Sequence, residues 1–208
     1  MNKIIKNALI LMAITLVAGL LLGTVYGITK EPIAQAEAKA EQEAYLAVFP
    51  GAEEFVEPEQ KDELLAAAAD ALTAAGYDST ADTIENFYLV NNGGQIAGVV
   101  INLTSHEGYG GDINFSMGID LEGTVKGVEI LSISETAGLG MHATEDSFKG
   151  QFRDKAVDQF VVTKTGAAAE NEIDAISGAT FTSKAMTNGV NAGICFYQSL
   201  VEGGVLNE

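Results

Sequence analysis

Residues 86–104 read NFYLVNNGGQIAGVVINLT, and this stretch decides the fold class. Two runs rich in β-branched and aromatic residues, 86–90 and 95–104, flank Asn91-Asn92-Gly93-Gly94. Asn and Gly tolerate the positive φ that a tight hairpin turn requires, so the stretch predicts two antiparallel strands. Working outward, 113–119 and 124–132 flank Asp120-Leu121-Glu122-Gly123 and predict a second hairpin, and 156–163 reads as a further strand. Residues 183–201 predict a closing helix, with Met186, Val190, Gly193, Tyr197 and Val201 along one stripe. Before the strands, 32–49 and 59–75 are rich in helix formers and end at Pro50-Gly51 and Gly76. The expected class is α+β: an N-terminal transmembrane helix, linking helices, and an antiparallel sheet domain with a C-terminal helix.

Residues 7–29 carry no charge. As a helix they extend about 34 Å, enough to cross a bilayer core. The apolar run is longer than that of a cleaved signal peptide, so a retained anchor is expected. Lys3 and Lys6 precede it and a mainly acidic segment follows. The positive-inside rule then leaves the N-terminus in the cytoplasm and the domain outside the cytoplasmic membrane. The expected organisation is 1–6 cytoplasmic, 7–29 transmembrane anchor, 30–76 helical linker region and 77–208 globular domain.

The chain has 11 basic and 29 acidic residues, with Lys3, Lys6 and Lys30 in a first segment free of acids. From Glu31 onward eight bases face 29 acids, a balance of −21. A surface that acidic repels phosphate backbones and excludes nucleic acid as a partner. Cys195 is the single cysteine, and His106 and His142 are the two histidines. No intrachain disulfide, thiolate cluster or multi-imidazole metal site can be built from these. Electron transfer by this chain would need an organic cofactor.

Three loops are rich in small and hydroxyl residues. The first is Gly108-Tyr109-Gly110-Gly111, which could let backbone approach a flat ring or simply turn a hairpin corner. The second runs from Ser134 through Glu135, Thr136, Ala137, Gly138 and Leu139 to Gly140. A glycine-rich turn accounts for Gly138 and Gly140 but does not demand Glu135 or Thr136, which could bond a polar ligand while Leu139 packs on an apolar face. The third is Asp174-Ala175-Ile176-Ser177-Gly178-Ala179-Thr180-Phe181-Thr182, directly before the closing helix. With Lys184 it offers a phosphate seat at a helix N-terminus, or a Ser/Thr helix cap. His142 reads as a surface imidazole and Cys195 as a small buried apolar residue. No catalytic residue and no metal ligand is expected.

The run from Asp174 to Thr180 resembles the flavinylation motif of the FMN-binding domain family: Asp, two variable residues, Ser or Thr, Gly, Ala, then Thr or Ser. Glu135-Thr136-Ala137-Gly138-Leu139-Gly140 resembles the family's second signature, with Ala137 where Pro is usual, and Gly108-Tyr109-Gly110-Gly111 also fits. Length and architecture are most similar to the G-subunit branch, found in Rnf ion-translocating ferredoxin:NAD oxidoreductases. The C subunit of the sodium-translocating NADH:quinone reductase and stand-alone anchored flavoproteins share the motifs. The resemblance implies a covalent FMN, joined to Thr180 by a phosphoester that a separate flavin transferase makes. It implies cofactor contacts from Tyr109, Glu135, Thr136, Gly138, Leu139, Gly140, Ser177, Gly178, Ala179, Thr182 and Lys184. It also implies integral membrane and redox subunits as partners, and an electron relay with no complete activity alone.

Overall fold

The expected turn at Gly93-Gly94 takes positive φ at both residues, 62° and 82°, the mark of a two-residue hairpin of type I′. It joins β2 (Asp82–Asn92) to β3 (Gln95–Ser105), paired from Asn92↔Gln95 outward. β4 (Ile113–Asp120) and β5 (Val125–Ile133) form the second hairpin. Asp120 shapes its turn, because Oδ1 accepts the amides of Glu122 and Thr124. With β1 (Glu54–Val56) on one edge, the five strands form an antiparallel meander in the order β1-β2-β3-β4-β5.

The computed structural model describes residues 3–207. Met1 and Asn2, part of the expected cytoplasmic segment, and Glu208 lie outside them. The chain divides into two units, Met1–Gln42 and Glu43–Glu208. The first consists of helix α1 (Lys3–Val48) up to Gln42, and its apolar side chains are exposed. The helix continues through Pro32, so the helical segment expected from residue 32 is the same element as the apolar run. It is long and apolar enough to cross a membrane.

The second unit begins at Glu43, inside the segment expected as a linker, and takes in the last turns of α1 together with β1 and α2 (Lys61–Ala74). α2 closes as its sequence requires: Gly76 takes φ 87° and the Tyr77 amide bonds the Leu72 carbonyl, a Schellman end. One sheet face presents Phe87, Val99, Ile101, Leu103, Phe115 and Met117 to the core beneath α4 (Thr180–Glu202), where Met186, Val190, Ile194 and Phe196 meet them. The other face carries Tyr45, Val48, Phe49, Val90 and Val100. Gly118 makes that second layer possible, since a Cβ there would strike the Val48 carbonyl. Tyr45 Oη accepts the Asn102 amide at 2.6 Å, and Asn102 Oδ1 accepts the Ser116 hydroxyl at 2.7 Å.

The strand expected over 156–163 contracts to β6 (Val161–Thr163), which pairs in parallel with β7 (Glu172–Asp174). The reason lies on α4. Asn191, 2% exposed, accepts the Phe160 amide at 2.8 Å and donates to the Phe160 carbonyl at 2.9 Å. That backbone is satisfied by a side chain instead of a ladder.

Asp82 is 4% exposed, and its Oδ1 lacks a hydrogen bond among the described residues. Burial, reinforced by the Glu107 charge and opposed by the Ser105 hydroxyl, pushes its pKa up to about 6. A carboxyl raised in the folded state favours folding most below its unfolded pKa, and that contribution is lost as pH climbs through about 6. Asp82→Asn should therefore stabilise the protein by about 3 kcal/mol at pH 7.5, with the gain vanishing near pH 4. Parallel thermal melts of the two proteins across that range check it; a constant difference would contradict the assignment.

Candidate functional site

The three small-residue loops meet at the N-terminus of α4. Ile176 to Ala179 forms a turn in which the Ala179 amide bonds the Ile176 carbonyl at 3.0 Å and Gly178 takes φ 77°. A positive φ at the third turn position needs glycine, which explains Gly178. Ser183 ties the turn to the helix: its hydroxyl accepts the Ile176 amide and donates to the Ala179 carbonyl, both at 2.9 Å. The N-cap of α4 itself is Ala179, and no side chain caps the first turn. The hydroxyl-cap alternative is therefore not what the chain builds. The first-turn amides remain an anion seat with a positive dipole end.

Glu135 joins the other two loops to this point. It is 9% exposed, and Oε1 accepts the Tyr109 amide at 2.7 Å. Gly140 lies so close that a Cβ there would come within 2.6 Å of Glu135 Oε2 and 2.7 Å of Thr182 Oγ1. At Gly178 a Cβ would lie 3.1 Å from Leu139 Cδ2, so the second and third loops also touch.

These contacts enclose a cleft of about 290 Å³ lined by Tyr109, Glu135, Thr136, Leu139, Gly140, Gly178, Ala179, Thr180, Phe181 and Thr182. Nine of the twelve residues expected from sequence line it. Gly138, Ser177 and Lys184 do not: Gly138 takes the positive-φ turn before Leu139, Ser177 precedes Gly178, and Lys184 is exposed one turn into α4. Phe181 lines the cleft and is missed by sequence reasoning, because an aromatic residue at a helix start reads as core. Larger hollows of about 480 and 420 Å³ lie elsewhere and contain none of the motif residues.

The cleft distinguishes the two candidate threonines. Thr182 is 1% exposed with its hydroxyl against Gly140, whereas Thr180 is half-buried. His142 lies outside the lining and pairs with Glu145 at 2.7 Å, which holds the Glu145 carboxyl below its usual range. Cys195 is buried on α4, and burial pushes its thiol pKa up.

Uncapped amides suit a phosphate, and the glycine positions allow close approach. Exposed Tyr109, Leu139 and Phe181 suit a flat apolar ring. Enclosed sites for drug-sized ligands run from about 300 Å³ upward, so a larger group seated here keeps one edge in solvent. These features define a surface site for a phosphorylated ring compound. Residues 108–194 match the FMN-binding domain family and residues 1–48 match the RnfG N-terminal region.

The G subunit of the Na+-translocating ferredoxin:NAD+ oxidoreductase complex of Acetobacterium woodii is 32% identical over 201 residues, 95% of this chain and 93% of that one. The G subunit of the ion-translocating oxidoreductase complex of Methanosarcina acetivorans is 30% identical over 204 residues, 97% of this chain and 98% of that one. Among solved structures, NqrC of Shewanella oneidensis aligns with a TM-score of 0.47 at 20% identity, covering 56% of this chain and 60% of that one. The chain belongs to the family of G subunits of ion-translocating oxidoreductase complexes, with an FMN-binding domain and one N-terminal helix suited to a membrane anchor.

Proposed function

We propose that this chain is an electron-carrier subunit holding FMN covalently on Thr180, and that it relays electrons within a membrane ion-translocating ferredoxin:NAD oxidoreductase complex. The observation that carries the reading is the convergence of three loops, far apart in sequence, on a half-buried threonine at an uncapped helix N-terminus. The names and full-length similarity of the G-subunit relatives support the complex. The attachment forms a bond from Thr180 Oγ to the FMN phosphorus of an activated flavin nucleotide. The other nucleotide leaves, the hydroxyl proton passes to a base of the transferase, and no electrons are exchanged. No activating base is assigned in this chain, so a separate flavin transferase is the maturation partner.

When bound, FMN supplies the redox chemistry. The protein's part is placement. The α4 amides would seat the phosphate, with Gly178 and Ala179 beside it. Thr136 and Leu139 would border the ring, and Gly140 leaves room for Glu135 to hold the Tyr109 loop. Thr182 packs behind the attachment point. A phosphoester keeps the cofactor from being lost to the medium.

Residues 7–29 are the anchor, with 1–6 in the cytoplasm and the FMN domain outside. Lys3 and Lys6 support this orientation. Protease added to intact cells, with any outer membrane opened, should digest the domain; full protection behind a demonstrably intact membrane would reverse the topology. Membership of a complex is tested by mild solubilisation of native membranes. The chain should co-purify with integral membrane and other redox subunits, and its isolation alone from freshly solubilised membranes would favour a stand-alone carrier.

A further inference from the structure

In the unit Glu43–Glu208, two aromatic side chains are exposed among the described residues: Tyr109 at 77% and Phe181 at 69%. Both line the same cleft as Thr180. They come from different elements, Tyr109 from the loop after β3 and Phe181 from the first turn of α4. Their centroids are 6.4 Å apart with the planes tilted by 40°, neither an offset stack nor an edge-to-face contact. Elsewhere in the unit, the paired rings are drawn into the core, as with Phe87–Phe196 and Phe152–Phe160. Two rings left in water at the one cleft that carries the attachment threonine mark a site for a third flat ring. A ring inserted between them needs two carbon–carbon contacts, about 7 Å between outer planes. The rings stand 6.4 Å apart centroid to centroid, so seating a third ring between them requires a rotamer adjustment, which exposed side chains make quickly.

We propose that Tyr109 and Phe181 form an aromatic clasp on the isoalloxazine ring of the FMN carried by Thr180, with Phe181 as a positioning residue. The inference rests on the FMN reading above. It adds a residue that the motif ending at Thr180 does not specify. The Tyr109 side of the clasp is itself held by Glu135, whose carboxylate accepts the Tyr109 amide.

The test uses full-length protein made alongside a flavin transferase, in wild-type form and as Phe181→Leu, Phe181→Tyr and Tyr109→Leu. Leu121→Ala, exposed on the β4–β5 turn away from the cleft, is the control. Intact mass first counts the flavin, and iodide quenching of flavin fluorescence then reads the exposure of the ring. Losing one stacking partner should raise iodide access about two- to tenfold in Phe181→Leu and Tyr109→Leu. Phe181→Tyr and Leu121→Ala should match wild type. Flavin-loaded Leu variants with wild-type access would overturn the clasp while leaving the FMN reading intact. If Phe181→Leu escapes modification because it adjoins Thr180, Tyr109→Leu decides by itself. Wild-type protein without flavin beside an active transferase would overturn both, and the mass alone reports that outcome.

Discussion

Thr180→Val should fold and carry no covalent FMN when the chain is produced alongside a flavin transferase. Valine keeps the shape of threonine and removes the hydroxyl proposed to form the phosphoester. The first turn of α4 does not depend on that hydroxyl, since its N-cap is Ala179 and no side chain caps it. The loop is closed instead by Ser183, through its bonds to Ile176 and Ala179. The melting temperature should therefore stay near that of unmodified wild type while the adduct disappears. Thr182→Val provides the contrast. Thr182 is 1% exposed and its hydroxyl packs toward Gly140, so the variant should still be flavinylated. An adduct on Thr180→Val would move the attachment site.

Asn191→Leu should cost about 2–5 kcal/mol of stability. Leucine fills similar space but leaves the Phe160 amide and carbonyl without the partners they have at 2.8 and 2.9 Å. Phe160 is 1% exposed, so water does not replace them without opening the core. The loss should release residues 156–163 from α4. Asn188→Ala, three residues earlier and exposed, breaks only a surface bond to Glu107 and should change stability by less than about 0.5 kcal/mol. Chemical denaturation of the purified proteins compares the two. Equal midpoints would mean that the Asn191 pairing does not hold the segment.

Where the determinants of structure are local, the sequence is legible. The two hairpins depend on residues able to take positive φ, and Gly93, Gly94 and Gly123 announce that in the chain itself. The closing helix follows from its stripe, and structure extends it only to Thr180–Glu202. What cannot be read depends on partners distant in sequence. β1 and β7 are three residues each, too short for a periodic pattern, and exist because β2 and β6 lie beside them. Residues 156–160 read as strand, but the Phe160 amide and carbonyl are bonded by Asn191.

The site divides the same way. Glycine spacing and the family motifs locate Thr180 and its loop, since the motif is contiguous. Glu135 stands out in the sequence, but its bond to the Tyr109 amide spans 26 positions and emerges only from the fold. Phe181 escapes notice because an aromatic residue at a helix start ordinarily turns inward, and only its exposure distinguishes it. A related case is α2, which reads in the sequence as an independent helix, yet Ala68 and Leu72 are buried against the domain.

The most direct test of a covalent FMN carrier is made on wild-type full-length protein, purified in detergent after production with a flavin transferase. Its visible spectrum is recorded before and after denaturation and precipitation, followed by peptide mass spectrometry. Flavin absorbance should remain with the precipitated polypeptide at about one FMN per chain. The adduct should map to Thr180 in the peptide Ser177-Gly178-Ala179-Thr180-Phe181-Thr182-Ser183-Lys184. A colourless precipitate with all flavin in the supernatant, or an adduct at any other residue, would contradict the account.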